Sequence, residues 1–206
     1  MTESSKVGGI VLCGGKSSRM GRPKAWLPFG PEVMLQRVVR ILSGVVSPIV
    51  VVAAHGQAVP ELPDDVEILR DEHEALGPLA GLAVGLAALG DGVDAAYASS
   101  CDVPLLTPAF VRHVIDALEE YDLAISRDGT LYHPMAAVYR TRLAAAAEEL
   151  IVAGRLRPYF LIEQARAREI DVAELRTVDP ELRSLQNINT AEEYTAALRD
   201  AGFAAP

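Results

Sequence analysis

Apolar residues recur in four runs of strand length, at positions 7–13, 49–53, 66–69 and 95–100, separated by stretches with helical spacing. A strand covered on both faces reads as a continuous apolar run. The βα alternation therefore predicts a mainly parallel twisted sheet with helices on both faces, a three-layer α/β sandwich. The spacing predicts helices over 33–42, 79–89, 109–120, 142–153 and 191–200. Thr107 offers an N-cap with Pro108 at the first helical position, and Thr190 with Glu193 has capping-box spacing. After residue 120 the pattern changes. Residues 122–126 and 135–139 read as strands joined through an Asp128-Gly129 turn, a small hairpin-like insert in the alternating fold. No repeat or low-complexity linker divides the chain, so one domain over 1–206 is expected, with residues 1–6 disordered. A small separate lobe for the last third is the alternative.

Half of the 206 residues are hydrophobic, enough to bury one substantial core. Two cysteines, Cys13 and Cys101, are too few for a disulfide framework and lack CxxC spacing. A reducing compartment, the cytoplasm, and no structural zinc are expected. The 7–13 run is far shorter than the roughly 20 apolar residues that cross a bilayer, so neither a signal peptide nor a membrane span is expected. A net charge of -9 argues against a nucleic-acid or anionic-membrane surface, which needs a basic patch. An anionic small molecule stays compatible with that charge where basic residues concentrate locally.

They do so directly after the first strand. Residues 12–24 combine three glycines with four basic side chains. Glycine lets the backbone approach a ligand and present N–H groups to it, and lysine and arginine neutralise charge those groups cannot, which suits a triphosphate. A Gly-Gly turn with basic residues facing water is the competing reading. Two familiar phosphate loops are excluded by spacing. Gly15-Lys16-Ser17 imitates the end of a P-loop, but the earlier glycine would fall on Ile10. A GxGxxG pattern starting at Gly14 would need glycine where Lys16 stands.

Leu12, Gly14, Gly15, Arg19, Met20, Gly21 and Lys24 hold the pattern LxGGxxxRMGxxK, which closely resembles the signature of the molybdenum cofactor guanylyltransferases, the MobA-like nucleotidyltransferases. The resemblance continues through Gly77-Pro78-Leu79-Ala80-Gly81, Cys101-Asp102-Val103-Pro104, His133-Pro134 and Asn187-Ile188-Asn189-Thr190, nearly the whole chain. It implies transfer of GMP from GTP to the terminal phosphate of molybdenum-molybdopterin, giving molybdopterin guanine dinucleotide and pyrophosphate. GTP and molybdenum-molybdopterin are then the small-molecule partners, with transient contact to molybdoenzymes or cofactor-insertion proteins.

Asp102 follows the 95–100 strand, and Pro104 stops the ladder there. In a Rossmann-like, doubly wound order the first and fourth strands are neighbours, which puts Asp102 beside the Gly14-Gly15 loop. A carboxylate next to a triphosphate needs a cation between them, so Asp102 is assigned as a ligand of Mg2+, the expected cofactor. An aspartate that only caps a turn is the alternative. With Asp102, the resemblance gives catalytic roles to Lys24, which stabilises the α-phosphoryl charge, and to Arg19, which holds pyrophosphate.

Nucleotide contacts are assigned to Leu12, Cys13, Gly14, Gly15, Lys24, Asp71, Gly77, Pro78 and Asp102. Asp71 stands at a strand end, where it accepts from the guanine edge or ribose or merely faces water. Gly77-Pro78 opens a helix whose first amides face the ligand. Second-substrate candidates are His133, Arg155, Arg157, Asn187 and Asn189. Against them stand a structural histidine, solvated arginines and an Asn189-Thr190 helix start. His55, His73 and His113 lack ligand spacing and are expected at the surface.

Two departures bear on base choice. Guanine-specific relatives resemble LAGG where this chain has Leu12-Cys13-Gly14-Gly15, and cytidine-specific ones resemble LAAG. Gly14 therefore argues for guanine. Ala53-Ala54-His55 stands where the family often has asparagine, so a nucleotide contact is missing from that position. A CMP transferase, an enzyme of sugar phosphates or phospholactate, and a non-enzymatic GTP-binding carrier of the molybdenum cofactor are the competing readings.

Overall fold

The computed structural model describes residues 6–14, 23–71 and 76–204. The expectations for Gly15 and Arg19, for His73, and for disorder over residues 1–5 fall outside the described residues.

The apolar runs fold as β1 (Val7–Leu12), β4 (Ile49–Ala54), β5 (Val66–Asp71) and β6 (Ala95–Ser100), with a two-stranded ribbon, β2 (Pro28–Phe29) and β3 (Glu32–Val33), between the first two. Helices α1 (Met34–Ser43), α2 (Pro78–Leu89) and α3 (Pro108–Asp116) follow β3, β5 and β6. Then come β7 (Leu123–Asp128), β8 (Leu131–Arg140), α4 (Leu143–Val152), α5 (Pro158–Gln164), β9 (Ala167–Asp171), α6 (Val172–Leu175) and α7 (Ala191–Asp200). Both start signals work as read. The Phe110 amide donates to Thr107 Oγ1 at 3.2 Å. At α7 the Glu193 amide donates to Thr190 Oγ1, and Glu193 Oε2 accepts from the Thr190 amide.

One seven-stranded sheet runs in the order β5-β4-β1-β6-β8-β7-β9. Its first four strands are parallel, and β1 lies between β4 and β6 as a doubly wound order requires. The expected hairpin interrupts the βα alternation and packs on the same sheet. β8 is antiparallel to both β6 and β7, and β9 is parallel to β7, so the pair extends the main sheet. Buried β6 has polar backbone groups on both edges, and β8 satisfies the edge that β1 leaves. The 109–120 helix also stops early, at Asp116, where the chain turns through Glu119 at φ 38°.

Alternate residues of each strand face opposite layers. Val11, Val51, Tyr97 and Val138 pack with α1, α3 and α6, while Ile10, Val50, Ala98 and Ala137 pack with α2, α4 and α5. A third cluster joins the ribbon to α7 through Phe29, Met34, Ile188, Tyr194 and Leu198. It carries the segment before α7 across the C-terminal ends of β1 and β6.

Helix α2 lies so close to β1 that a Cβ on Gly85 would stand 2.7 Å from Ile10 Cγ2. Alanine normally favours a helix over glycine, by up to about 1 kcal/mol. Here the buried, β-branched Ile10 cannot move aside. Gly85→Ala is expected to destabilise the fold by about 1–3 kcal/mol, read as a lower midpoint in urea at unchanged m.

Candidate active site

The C-terminal ends of β1, β4 and β6 meet at one edge of the sheet. There Asp102 sits just past β6, its side chain 13% exposed. Lys24, in a short 3-10 turn beyond the described end of β1, donates from Nζ to Asp102 Oδ2 at 2.7 Å and to Asn189 Oδ1 at 2.9 Å. Ser100 Oγ and Asn187 Nδ2 donate to Asp102 Oδ1 at 2.5 and 2.8 Å. Both carboxylate oxygens are therefore met. Asn187 and Asn189 straddle Ile188, which is 2% exposed and whose amide donates to the Asp102 carbonyl at 2.9 Å. With Ile188 buried, Asn187 meets the carboxylate and Asn189 meets the Lys24 ammonium. Sequence reasoning grouped these asparagines with the second substrate; the structure brings them into the Asp102 centre itself.

The ammonium of Lys24 marks a place where a cation is held between a carboxylate and an amide oxygen. Oxygen ligands of this kind suit Mg2+. Among the described residues no group of three or more His, Cys, Asp or Glu side chains is placed to hold a metal. Two side-chain oxygens fit a hard cation that takes its remaining ligands from a bound molecule.

The sequence model of the MobA-like NTP transferase domain matches residues 9–168. The chain belongs to this family. It is 36% identical over 201 residues to a probable molybdenum cofactor guanylyltransferase of Mycobacterium avium (strain 104), covering 95% of this chain and 97% of that protein. It is 37% identical over 196 residues to the protein of the same description from Mycobacterium tuberculosis (strain ATCC 25618 / H37Rv), covering 93% and 92%. Among solved structures, the molybdopterin-guanine dinucleotide biosynthesis protein A of Archaeoglobus fulgidus superposes with a TM-score of 0.77 at 23% identity, over 95% and 99% of the two chains. A putative protein of Aquifex aeolicus VF5 gives 0.70 at 24%, over 91% and 96%. At these identities the two structures bear on the fold alone.

Several residues of this MobA-like domain lie around the Asp102 centre at the same edge. Cys13 and Cys101 sit side by side at the ends of β1 and β6, their thiols hydrogen-bonded to each other, and the Cys13 thiol and burial push the Cys101 thiol well up. Gly14 lies beside Ala54, with the Ala54 nitrogen 3.6 Å from where a Cβ would stand. Asp71 ends β5 in register with Ala54. Gly77, at φ 81°, precedes Pro78 at the start of α2, and a Cβ there would stand 3.8 Å from the Leu156 carbonyl. The 155–158 segment thus comes beside the α2 N-terminus. Arg157 is exposed and caps α5, whereas Arg155 lies 4.1 Å over the Phe160 ring and 3.7 Å from Glu163. The Arg155 guanidinium is engaged by α5.

Two residues that sequence reasoning missed complete the edge. Ser100 orients Asp102 from two positions earlier, and the strand period of two could have revealed it. Gln57 reaches from the turn after β4 to the Cys13 carbonyl at 2.9 Å, a long-range bond with no local signal.

His133 stands on β8 opposite Ser126, where the β7–β8 register shifts. Its Nε2 is buried and has no hydrogen-bond partner among the described residues. Burial holds its pKa below the usual histidine value, against a smaller opposing effect from Asp128. His133 is therefore harder to protonate in the native state than in the unfolded chain. The resulting stability is present above the unfolded value of about 6.5 and is lost as pH falls through it. In thermal melts from pH 7.5 to 5.5, His133→Gln is expected to lose less of its midpoint than the wild type.

Proposed function

We propose that the chain is a molybdenum cofactor guanylyltransferase, transferring GMP from GTP to the terminal phosphate of molybdenum-molybdopterin, with molybdopterin guanine dinucleotide and pyrophosphate as products. The observation that carries this reading is the cation-holding arrangement of Lys24, Asp102 and Asn189 beside Gly14 at the sheet edge. The mycobacterial relatives, matched over nearly their full length, support the choice of substrates.

The pterin phosphate is already ionised, so the reaction needs alignment and charge stabilisation more than a base. One of its oxygens attacks the α-phosphorus of GTP. The bond from that phosphorus to the bridging β-phosphate oxygen breaks, and its electron pair leaves with pyrophosphate. Asp102 and Asn189 would hold Mg2+ against the phosphates, and the ion supplies neutralising charge there when bound. Released by the ion from Asp102 and Asn189, Lys24 would place a second positive charge within reach of the transferring phosphoryl group. Asn187 and Ser100 hold the Asp102 carboxylate in one orientation. Arg19 and Gly15 complete the phosphate loop in this reading. Gly77, Pro78 and Asp71 line the nucleotide side, and Arg157 and His133 the side of the second substrate. We take the chain to work as a single domain in the cytoplasm, with its product passed on in transient contact with molybdoenzymes or cofactor-insertion proteins.

Purified protein with Mg2+ and molybdenum-molybdopterin is expected to release pyrophosphate with GTP and not with CTP or ATP. Asp102→Asn and Lys24→Ala should each lower the rate by about a hundredfold or more. Release with CTP alone would replace guanine by cytosine in the reading. Binding of GTP without release by any nucleotide would make the chain a carrier instead.

A further inference from the structure

The parallel ladder between β1 and β4 ends in an unusual way. In such a ladder one residue donates its amide to the partner strand and accepts through its carbonyl from an amide two residues further on. Cys13 obeys the first half, its amide donating to the Val52 carbonyl at 2.8 Å. The second half would be a bond from the Ala54 amide to the Cys13 carbonyl. The side chain of Gln57 occupies that rung. Gln57 Oε1 accepts from the Ala54 amide at 3.1 Å, and Gln57 Nε2 donates to the Cys13 carbonyl at 2.9 Å. A whole amide group is thus inserted where the two strand ends would otherwise bond directly, and it satisfies both of the groups it separates.

The insertion is held from behind. The Gln57 amide donates to the Ala54 carbonyl at 3.1 Å, closing a turn in which Gly56 takes φ 68°. Arg70 on β5 donates from Nη1 to the Gln57 carbonyl at 2.7 Å. Gln57 therefore fixes the ends of β1, β4 and β5 relative to one another. Gly14, to which the proposed function gives the base contact, follows Cys13 at this strand end, where a Cβ on it would stand 3.6 Å from the Ala54 nitrogen.

We infer that Gln57 is a wedge that sets the width of the nucleobase slot between the ends of β1 and β4, and so a positioning residue for guanine. The inference rests on the nucleotidyltransferase reading above. Its physical content is separate from a stabilising role. Removing the side chain frees the Ala54 amide and the Cys13 carbonyl to bond to each other, so the ladder gains a rung and the slot narrows.

The test combines three measurements on Gln57→Ala and wild type: thermal midpoint, GTP and CTP binding by calorimetry with Mg2+, and kcat and KM for pyrophosphate release. The wedge predicts a midpoint within about 2 °C of wild type, because one hydrogen-bonded arrangement replaces another. It predicts GTP binding weakened about tenfold, seen as a raised KM with kcat within about threefold, since Lys24 and Asp102 lie across β1 from the slot. Gln57→Glu, which still accepts from Ala54 but sets an oxygen against the Cys13 carbonyl, should weaken GTP binding as well. A lowered midpoint with unchanged GTP affinity would make Gln57 a structural brace and overturn the wedge. Wild-type protein that binds neither nucleotide would overturn the nucleotidyltransferase reading, and binding without pyrophosphate release would remove only the transfer reaction.

Discussion

A carboxylate largely withdrawn from water needs both of its oxygens met by hydrogen-bond donors or cations. Asp102 meets that condition with Ser100 from its own strand end and with Lys24 and Asn187 from distant parts of the chain. No local segment could supply all three. Much of the architecture beyond the first four strands can be understood as what brings these groups to one point. The β1–β6 pairing sets the strand end on which Asp102 sits, and the packing of α7 against the ribbon sets the position of the asparagines.

The second of these depends on apolar contacts remote from the chemistry. Ile188 and Tyr194 are buried in the same cluster as Phe29 and Met34, and the Tyr194 hydroxyl donates to the Pro28 carbonyl. Arg37 lies over the rings of Phe29 and Phe203, at 4.8 and 5.5 Å, and donates to the Pro104 carbonyl at 2.7 Å. One guanidinium therefore links α1, the C-terminal segment and the turn that follows Asp102. Stacking of this kind contributes roughly 0.5–1 kcal/mol at exposed sites and more when desolvated. Its larger effect here is geometric, because it joins the two halves of the site through a single rigid group.

The parts of this arrangement that were legible in the sequence are those with a local physical cause. Apolar runs gave the strands, Thr107 and Thr190 gave two helix starts, and the Gly14 and Asp102 positions followed from strand ends and a doubly wound order. The β7–β8 pair was visible as two strands expected on the same sheet, but its position beside β6 was not, because edge satisfaction of β6 leaves no mark on the hairpin's own residues. The α5, β9 and α6 elements after residue 153 are short and lack strong periodicity. Asn187 and Asn189 were recognised as polar residues before a helix. Their aim depends on the burial of Ile188 and on the docking of α7, both tertiary. Gln57 was invisible for the same reason: the bond that carries its side chain to β1 runs to Cys13, 44 positions away.

Gly14 and Gly85 differ in how far the described contacts account for them. Gly85 is dictated by the protein, since Ile10 fills the space a side chain would need. At Gly14 a Cβ would stand 3.6 Å from the Ala54 nitrogen and 3.8 Å from its Cβ, ordinary contacts among the described residues, and the backbone lies outside the left-handed region. In the function proposed above, this glycine answers to the ligand. The flat edge of a purine approaches a bare peptide more closely than it approaches a methyl group, so under that proposal a methyl group at 14 costs nucleotide affinity before it costs stability.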